Sequence, residues 1–276
     1  MNPHLHKRYF SHKIFCLAIM VFSITSVFAQ DEDALASREN FMIADHRAFV
    51  MLSPHAPTNQ TKPWVWYAPT LGNGLPGVSE KWMFDQFHQA GIAIAGIDVG
   101  ESYGSPQGRK LYQALYKELV EKRGFHGKPV LLARSRGGLM LYNWAVEHPE
   151  SVGGIAGIYP VCNLVSYPGL KRAAGAYAMT AEALETHLKE HNPINRLAPL
   201  AEAKVPILHI HGDKDTTVPL EMNSAELARR YTALGGPVKI EVIKGQGHNM
   251  WQGWFESQKL TDFMIARALG RPHLTP

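Results

Sequence analysis

Two hydrophobic patterns take turns along this polypeptide. Short apolar runs rich in β-branched residues occur at 64–67, 92–99, 129–133, 154–159, 206–211 and 238–243. Runs that are apolar at successive positions, rather than at every second one, suit strands buried on both faces of a parallel sheet. Between most of them, apolar residues recur at three- and four-residue intervals, the spacing of a helix with one buried face. This predicts helices over 79–90, 109–122, 136–147, 224–234 and 253–269; in the second, Leu111, Leu115, Leu119 and Val120 form the stripe. Strands that alternate with helices close as parallel pairs, each helix packing back across the sheet. The expected architecture is an α/β fold, with a mostly parallel twisted sheet covered by helices on both faces.

One long connection breaks the rhythm. Residues 162–193 lie between the strands predicted at 154–159 and 206–211 and hold a predicted helix at 181–191. An insertion of this size suits either a small cap over the carboxyl edge of the sheet or an irregular crossover. Residues 30–40 are polar and read as a frayed lead-in. With no internal repeat and no long linker, residues 30–276 read as a single domain.

The first 29 residues have a different character. Positions 1–13 are polar and basic, Ile14 to Phe22 is unbroken apolar chain, and Val27-Phe28-Ala29 offers compact residues where a signal peptidase reads. The pattern predicts a secretory signal peptide over 1–29. A membrane anchor is the competing reading, but the apolar stretch falls short of the roughly 20 residues that a span needs. The expected location is therefore periplasmic or secreted in a bacterium, with no stable membrane insertion after cleavage. Beyond the signal only Cys162 remains, so no internal disulfide can form. Stability must come from a core, which 276 residues at 45% hydrophobic can supply. The formal charge is +4, but Lys7, Arg8 and Lys13 fall in the signal, which holds no acid, leaving +1 for the rest. That balance argues against a nucleic-acid partner.

The sharpest chemical signal is Pro129-Val-Leu-Leu-Ala-Arg-Ser-Arg-Gly-Gly138, a buried strand running through Ser135 directly into a helix. A nucleophilic serine on such a turn has a strained backbone and needs small neighbours two residues before and after it, the places of Ala133 and Gly137. It would also stand at a helix N-terminus, where free N–H groups favour a developing negative charge. The competing reading is a serine that merely caps the helix. Two further strands end in chemistry-bearing turns, His211-Gly-Asp-Lys-Asp-Thr-Thr-Val-Pro219 and Lys244-Gly-Gln-Gly-His-Asn249. A serine, an aspartate and a histidine thus follow three separate strands, in that order along the chain. Asp213 and Asp215 compete for the middle place.

On these three segments the sequence resembles the α/β-hydrolase superfamily, near the secreted esterase-like members of the dienelactone-hydrolase and prolyl-oligopeptidase branches. The resemblance implies an α/β-hydrolase fold and a serine hydrolase with Ser135 as nucleophile, His248 as general base and Asp215 as the acid. Asp213 would then organise its turn through backbone N–H groups. The tetrahedral intermediate needs two oxyanion donors. One is expected from the N–H of Arg136, the other from the turn after the strand at 64–67. Pro69 has no N–H, which leaves Thr70 or Leu71. This turn lacks the His-Gly pair common in the family.

Weaker candidates surround these. Arg134 and Arg136 flank the serine, and Arg134 either meets a carboxylate or sugar oxygen of a substrate or packs against an acid. Glu101, in Asp98-Val-Gly-Glu-Ser-Tyr-Gly104, is a candidate substrate contact, a partner for Arg134, an acid for a glycosidic oxygen or a solvated loop residue. Tyr103 and Trp251, with Trp254, could stack on a sugar ring or line an acyl pocket, or be ordinary packing. His209 and His211 share a strand face but lack a third ligand for a metal, so a hydrogen-bonded pair is the simpler reading. No metal site and no cofactor are inferred. The expected activity is cleavage of a carboxylic ester through an acyl-enzyme, on a small-molecule or oligosaccharide substrate such as an esterified carbohydrate or an aromatic acid ester, with glycan cleavage through a carboxylate such as Glu101 or peptide cleavage as alternatives.

Overall fold

The computed structural model describes residues 1, 38–58, 60–72 and 74–271. The expected signal peptide at 1–29 lies outside the described residues. The six predicted strands are present as β3 (Trp64–Ala68), β4 (Ala93–Ile97), β5 (Val130–Arg134), β6 (Gly154–Ile158), β7 (Ile207–Gly212) and β8 (Val238–Ile243). Two more precede them, β1 (Arg38–Ile43) and β2 (His46–Met51). All eight form one sheet in the order β1-β2-β4-β3-β5-β6-β7-β8, with β1 and β2 antiparallel at one edge and the other six mutually parallel.

At 38–40 the β1–β2 hairpin corrects the expectation of a frayed lead-in over 30–40, whose earlier residues lie outside the described ones. Its turn is Ala44-Asp45, and both residues adopt positive φ, 45° and 63°. A two-residue hairpin turn needs that left-handed backbone, which Asn-Gly or Asp-Gly ordinarily supplies. β1 is also mostly exposed or half-buried, so it lacks the apolar run that marks the other strands.

Successive residues of the parallel strands enter opposite cores, except in the edge strand β8, which has no fully buried residue. Trp64, Trp66, Leu131 and Ala133 face one side, where they meet α2 (Pro106–Lys117), α3 (Gly137–Ala145) and α8 (Ser224–Ala233). Val65, Tyr67, Val130 and Leu132 face the other, against α1 (Lys81–Gln89) and α9 (Gln258–Ala268). This two-sided burial is why the strands are apolar throughout.

The chain leaves β3 for β4 on one side and returns to add β5 on the other side of β3. Where the order of an open α/β sheet reverses, neighbouring loops diverge from the carboxyl edge and leave a crevice. The reversal here lies between β3 and β5, the strand that ends at Ser135.

The 162–193 segment holds α4 (Leu170–Ala173), α5 (Ala181–Thr186) and α6 (Leu188–His191). The helix predicted at 181–191 breaks at His187, whose φ of −106° leaves the helical range. Leu164, Ala173, Tyr177 and Leu184 form a small third core with Tyr103, Leu139 and Val218. The segment thus packs on the loop after β4, the start of α3 and the turn after β7. α7 (Ala198–Glu202) leads back to the sheet. Among the described residues, no helix is long and apolar enough to cross a membrane.

Candidate active site

Ser135 occupies the single residue between the end of β5 and the cap of α3, with φ at +49°. That backbone costs a non-glycine residue on the order of 1–3 kcal/mol, so surrounding bonds must hold it. They do: its N–H donates to the Ile158 carbonyl at 3.0 Å, and its own carbonyl accepts from Val161 at 2.8 Å and Gly138 at 3.0 Å. The small-residue requirement is visible as well. Ala133 is fully buried between Ala68 and Gly157 in the sheet. A Cβ on Gly137 would stand 2.1 Å from the Ala68 carbonyl oxygen.

The structure brings the three predicted side chains together. Ser135 Oγ lies 2.9 Å from His248 Nε2, and His248 Nδ1 lies 2.7 Å from Asp215 Oδ2. Because Nδ1 faces a carboxylate, it carries the ring proton; Nε2 is then the acceptor and the serine hydroxyl the donor. Asp215 Oδ1 accepts the Thr217 and Val218 N–H groups at 3.0 and 2.8 Å. Burial would raise the Asp215 pKa, but hydrogen bonds from His211, His248 and the Val218 N–H together outweigh it and hold the carboxyl well below the usual range. Asp213 takes the other role, accepting the Gly245 N–H at 2.7 Å, so the two aspartates divide the turn between them.

The Arg136 N–H heads α3, where the first amides lack intrahelical partners. The contact of Gly137 with Ala68 and Pro69 shows that this helix start abuts the turn after β3. Of the two candidates for the second oxyanion donor, Thr70 is buried and bridges to Asp98, whereas Leu71 is half-exposed.

The flanking arginines part company. The Arg136 guanidinium pairs with Glu101, so of the alternatives open to Glu101 the pairing with Arg134 is not the one observed. Arg134 instead meets Glu80 at 2.5 Å, with side chains 12% and 2% exposed. It also donates to Met250 Sδ at 2.9 Å and lies over the Phe255 ring. Glu80 accepts from Tyr67 Oη at 2.7 Å as well. Arg134 thus has its acid within the protein, under the turn that carries the nucleophile. Tyr103 is buried, and its carbonyl accepts from Tyr177. Trp251 is 42% exposed and meets Trp254 edge-on.

Two residues of the site escaped the sequence reading. Glu80 stands in a short turn before α1, away from any strand end. Tyr159 was read only as the last residue of a strand. Its ring packs against the His248 imidazole, centroids 4.4 Å apart, with Trp254 behind it. Its position at a carboxyl strand end was the available signal.

This geometry can transfer an acyl group. The imidazole takes the hydroxyl proton, the serine attacks, and N–H groups at the crevice stabilise the oxyanion.

Comparison with known proteins agrees. Residues 126–266, a little over half of the chain, match the family model described as the prolyl oligopeptidase family. No curated protein sequence matches. Among solved structures, a puromycin-hydrolyzing peptidase of Mycobacterium tuberculosis superposes with a TM-score of 0.69 at 16% identity, covering 87% of this chain and 40% of that one. Dipeptidyl peptidase 4 of Porphyromonas gingivalis gives 0.68 at 13% identity, covering 83% and 35%. An S-formylglutathione hydrolase from Agrobacterium tumefaciens gives 0.65 at 14%, covering 84% and 94%. The chain thus spans less than half the length of the two peptidases and nearly all of the S-formylglutathione hydrolase. At these identities the likeness speaks for the α/β-hydrolase fold.

Proposed function

The chain belongs to the prolyl oligopeptidase family of serine hydrolases, and from that premise we propose that it cleaves a carboxylic ester through an acyl-enzyme on Ser135. The carrying observation is the Ser135–His248–Asp215 relay, with contacts of 2.9 and 2.7 Å. His248 takes the serine proton and passes it to the departing oxygen; Asp215 holds the tautomer and stabilises the imidazolium. Water then attacks the acyl-enzyme by the reverse route.

The leaving group departs toward the imidazole that protonates it. A cleft of about 460 Å³ reaches the loop after His248 at Met250; Val78, Trp82 and Phe255 line it beside the polar Ser79, Lys81, Asp85, Gln252 and Glu256. Such mixed walls suit a bulky alcohol that carries polar groups. Glu101 is engaged by Arg136, which disfavours the reading of it as the acid of a glycan-cleaving enzyme. Amide cleavage is the second reading, favoured by the family match and by peptidases among the structural neighbours.

The test is turnover of a panel of acetyl, feruloyl and longer acyl esters beside aminoacyl arylamides, by the wild type and by Ser135→Ala. Ester turnover should exceed amide turnover and fall by about 10⁴-fold or more in the variant. Preferential amide cleavage would replace the ester reading with the peptidase one. Near-normal turnover by Ser135→Ala would overturn both.

A further inference from the structure

Behind the triad acid runs a chain of buried side chains that acyl transfer, as described so far, does not use. Tyr142 Oη lies 2.7 Å from His209 Nε2, and His209 Nδ1 lies 2.9 Å from Ser224 Oγ. Ser224 Oγ lies 2.8 Å from His211 Nδ1. His211 Nε2 lies 2.8 Å from the Val218 carbonyl and 3.5 Å from Asp215 Oδ2. The chain joins the helix behind the nucleophile (α3) to β7 and to α8, and both histidine rings are fully buried.

The protons of this chain can be placed from its geometry. His211 Nε2 faces only acceptors, a carbonyl and a carboxylate, so it carries a proton. In the form of His211 that carries one proton, on Nε2, Nδ1 is bare and accepts the Ser224 hydroxyl proton. Ser224 then has no proton left for His209, so His209 Nδ1 donates to Ser224 Oγ. Burial pushes the His209 pKa down to about 3, so its ring is neutral and its bare Nε2 accepts from Tyr142. Every donor in the chain points the same way, from Tyr142 toward Asp215.

We propose that His211 is a positioning residue for Asp215, and that Tyr142, His209 and Ser224 fix the tautomer in which it holds that carboxylate. The proposal rests on the reading of Asp215 as the triad acid. His211 and His248 approach the same oxygen, Oδ2, from two sides, while the Thr217 and Val218 N–H groups hold Oδ1. Tyr159 is the other titratable group close enough to act on this carboxylate electrostatically. With Oδ1 bound by two N–H groups, and with His211 3.5 Å from Oδ2 on the side away from His248, rotation of the carboxylate is opposed and the imidazole stays aimed at Ser135. Orientation of this kind is lost without loss of substrate binding.

The experiment compares His211→Leu, His211→Gln, Ser224→Ala and Asp215→Asn in one ester assay, with rates expressed per mole of folded protein. His211→Leu should lower kcat about tenfold, the usual scale for a hydrogen bond to a charged group, with KM within twofold. His211→Gln, which keeps an N–H near Nε2, should regain most of the loss; a mere packing role would not separate the two. Nitrogen-15 spectra of the wild type should show His211 protonated at Nε2 alone and His209 at Nδ1 alone, and Ser224→Ala should mix the His211 tautomers. A normal kcat in His211→Leu beside a crippled Asp215→Asn overturns the positioning role, as does a wild-type His211 protonated at Nδ1. A normal Asp215→Asn sinks the triad reading itself. Should His211→Leu not fold, kcat and the spectrum of Ser224→Ala decide.

Discussion

Gly137→Ala probes the fold and the site at once. The added methyl would sit 2.1 Å from the Ala68 carbonyl oxygen, 2.3 Å from its carbon and 2.6 Å from the Pro69 nitrogen. An ordinary carbon–oxygen contact is well over 3 Å, so the nucleophile turn and the β3 turn must separate by about 1 Å; rigid backbone on both sides leaves no cheap escape. Overpacking of this kind costs about 1–3 kcal/mol, or roughly 2–12 °C of melting temperature in a domain of this size. The catalytic loss should be larger. The two turns that part are the expected sources of the two oxyanion donors, and Ser135 moves with one of them. A misplacement of about 1 Å costs on the order of 100-fold in rate. Gly137→Ala should therefore melt a few degrees lower and, at a temperature where it is fully folded, show kcat/KM for an aryl acetate about 100-fold down. Fluorophosphonate labelling of Ser135 should slow in step, because it uses the same oxyanion site. A variant that melts and turns over like the wild type would refute the close approach of these turns and the placement of the oxyanion site between them.

Three further outcomes follow from the same geometry. Asp215→Asn should lower kcat by about 10³–10⁴-fold through the wrong imidazole tautomer, whereas Asp213→Asn, whose amide oxygen can still accept the Gly245 N–H, should keep kcat within a few-fold; equal losses would contradict the division of roles. His209 is held neutral by burial, its pKa pushed from 6.5 down to about 3. The unfolded chain thus binds a proton that the folded chain refuses, and stability is lost as pH falls from about 6.5 toward 3, by at most ~1.4 kcal/mol per pH unit from this one residue; urea titrations at pH 7 and 5 should show the drop, and His209→Gln should flatten it. Glu80→Gln leaves the Arg134 guanidinium buried without its anion, at a cost of about 3–5 kcal/mol, and adding Arg134→Met should recover much of it; a neutral single variant would show that the pair is not a structural ion pair.

The sequence made the parallel strands and the triad legible for one reason. A strand buried on both faces is an apolar run with abrupt ends, and its carboxyl end is where this fold class places chemistry. Ser135, Asp215 and His248 each follow such an end. What remained hidden depends on approach in space or on an unadvertised backbone. Ala44 and Asp45 take left-handed conformations without a glycine, so the β1–β2 hairpin left no turn signal. Glu80 and Arg134 are 54 residues apart, and nothing local couples them. Only Glu101 stood near the flanking arginines on paper, and the fold shows that Glu80, in the short turn before α1, takes Arg134 while Glu101 takes Arg136. His209 and His211 were legible as a pair on one face, but the hydroxyl that joins them comes from α8.

The strand order explains why the loop after β8 is itself part of the site. Neighbouring strands stand about 4.8 Å apart, so β8 lies three intervals, roughly 14 Å, from β5 and its serine. Asp215, in the turn after β7, need only hold the histidine midway, but His248 must come back across β7 and β6. It stands five residues beyond Ile243, a reach of at most about 17 Å if fully extended. The loop turns rather than runs straight, with the Gln246 N–H folding back on the Ile243 carbonyl at 3.4 Å and the Gln246 carbonyl held by the Lys214 N–H at 2.9 Å, so the imidazole's own length completes the reach and its ring needs a floor beneath it. Tyr159, at the carboxyl end of the intervening β6, supplies that floor with its ring, while Asp215 fixes the far side of the imidazole at Nδ1. The relay is thus set by strand spacing and loop length as much as by the three residue types, and a serine, aspartate and histidine in the same chain order, with their loops cut for a different strand order, would not meet.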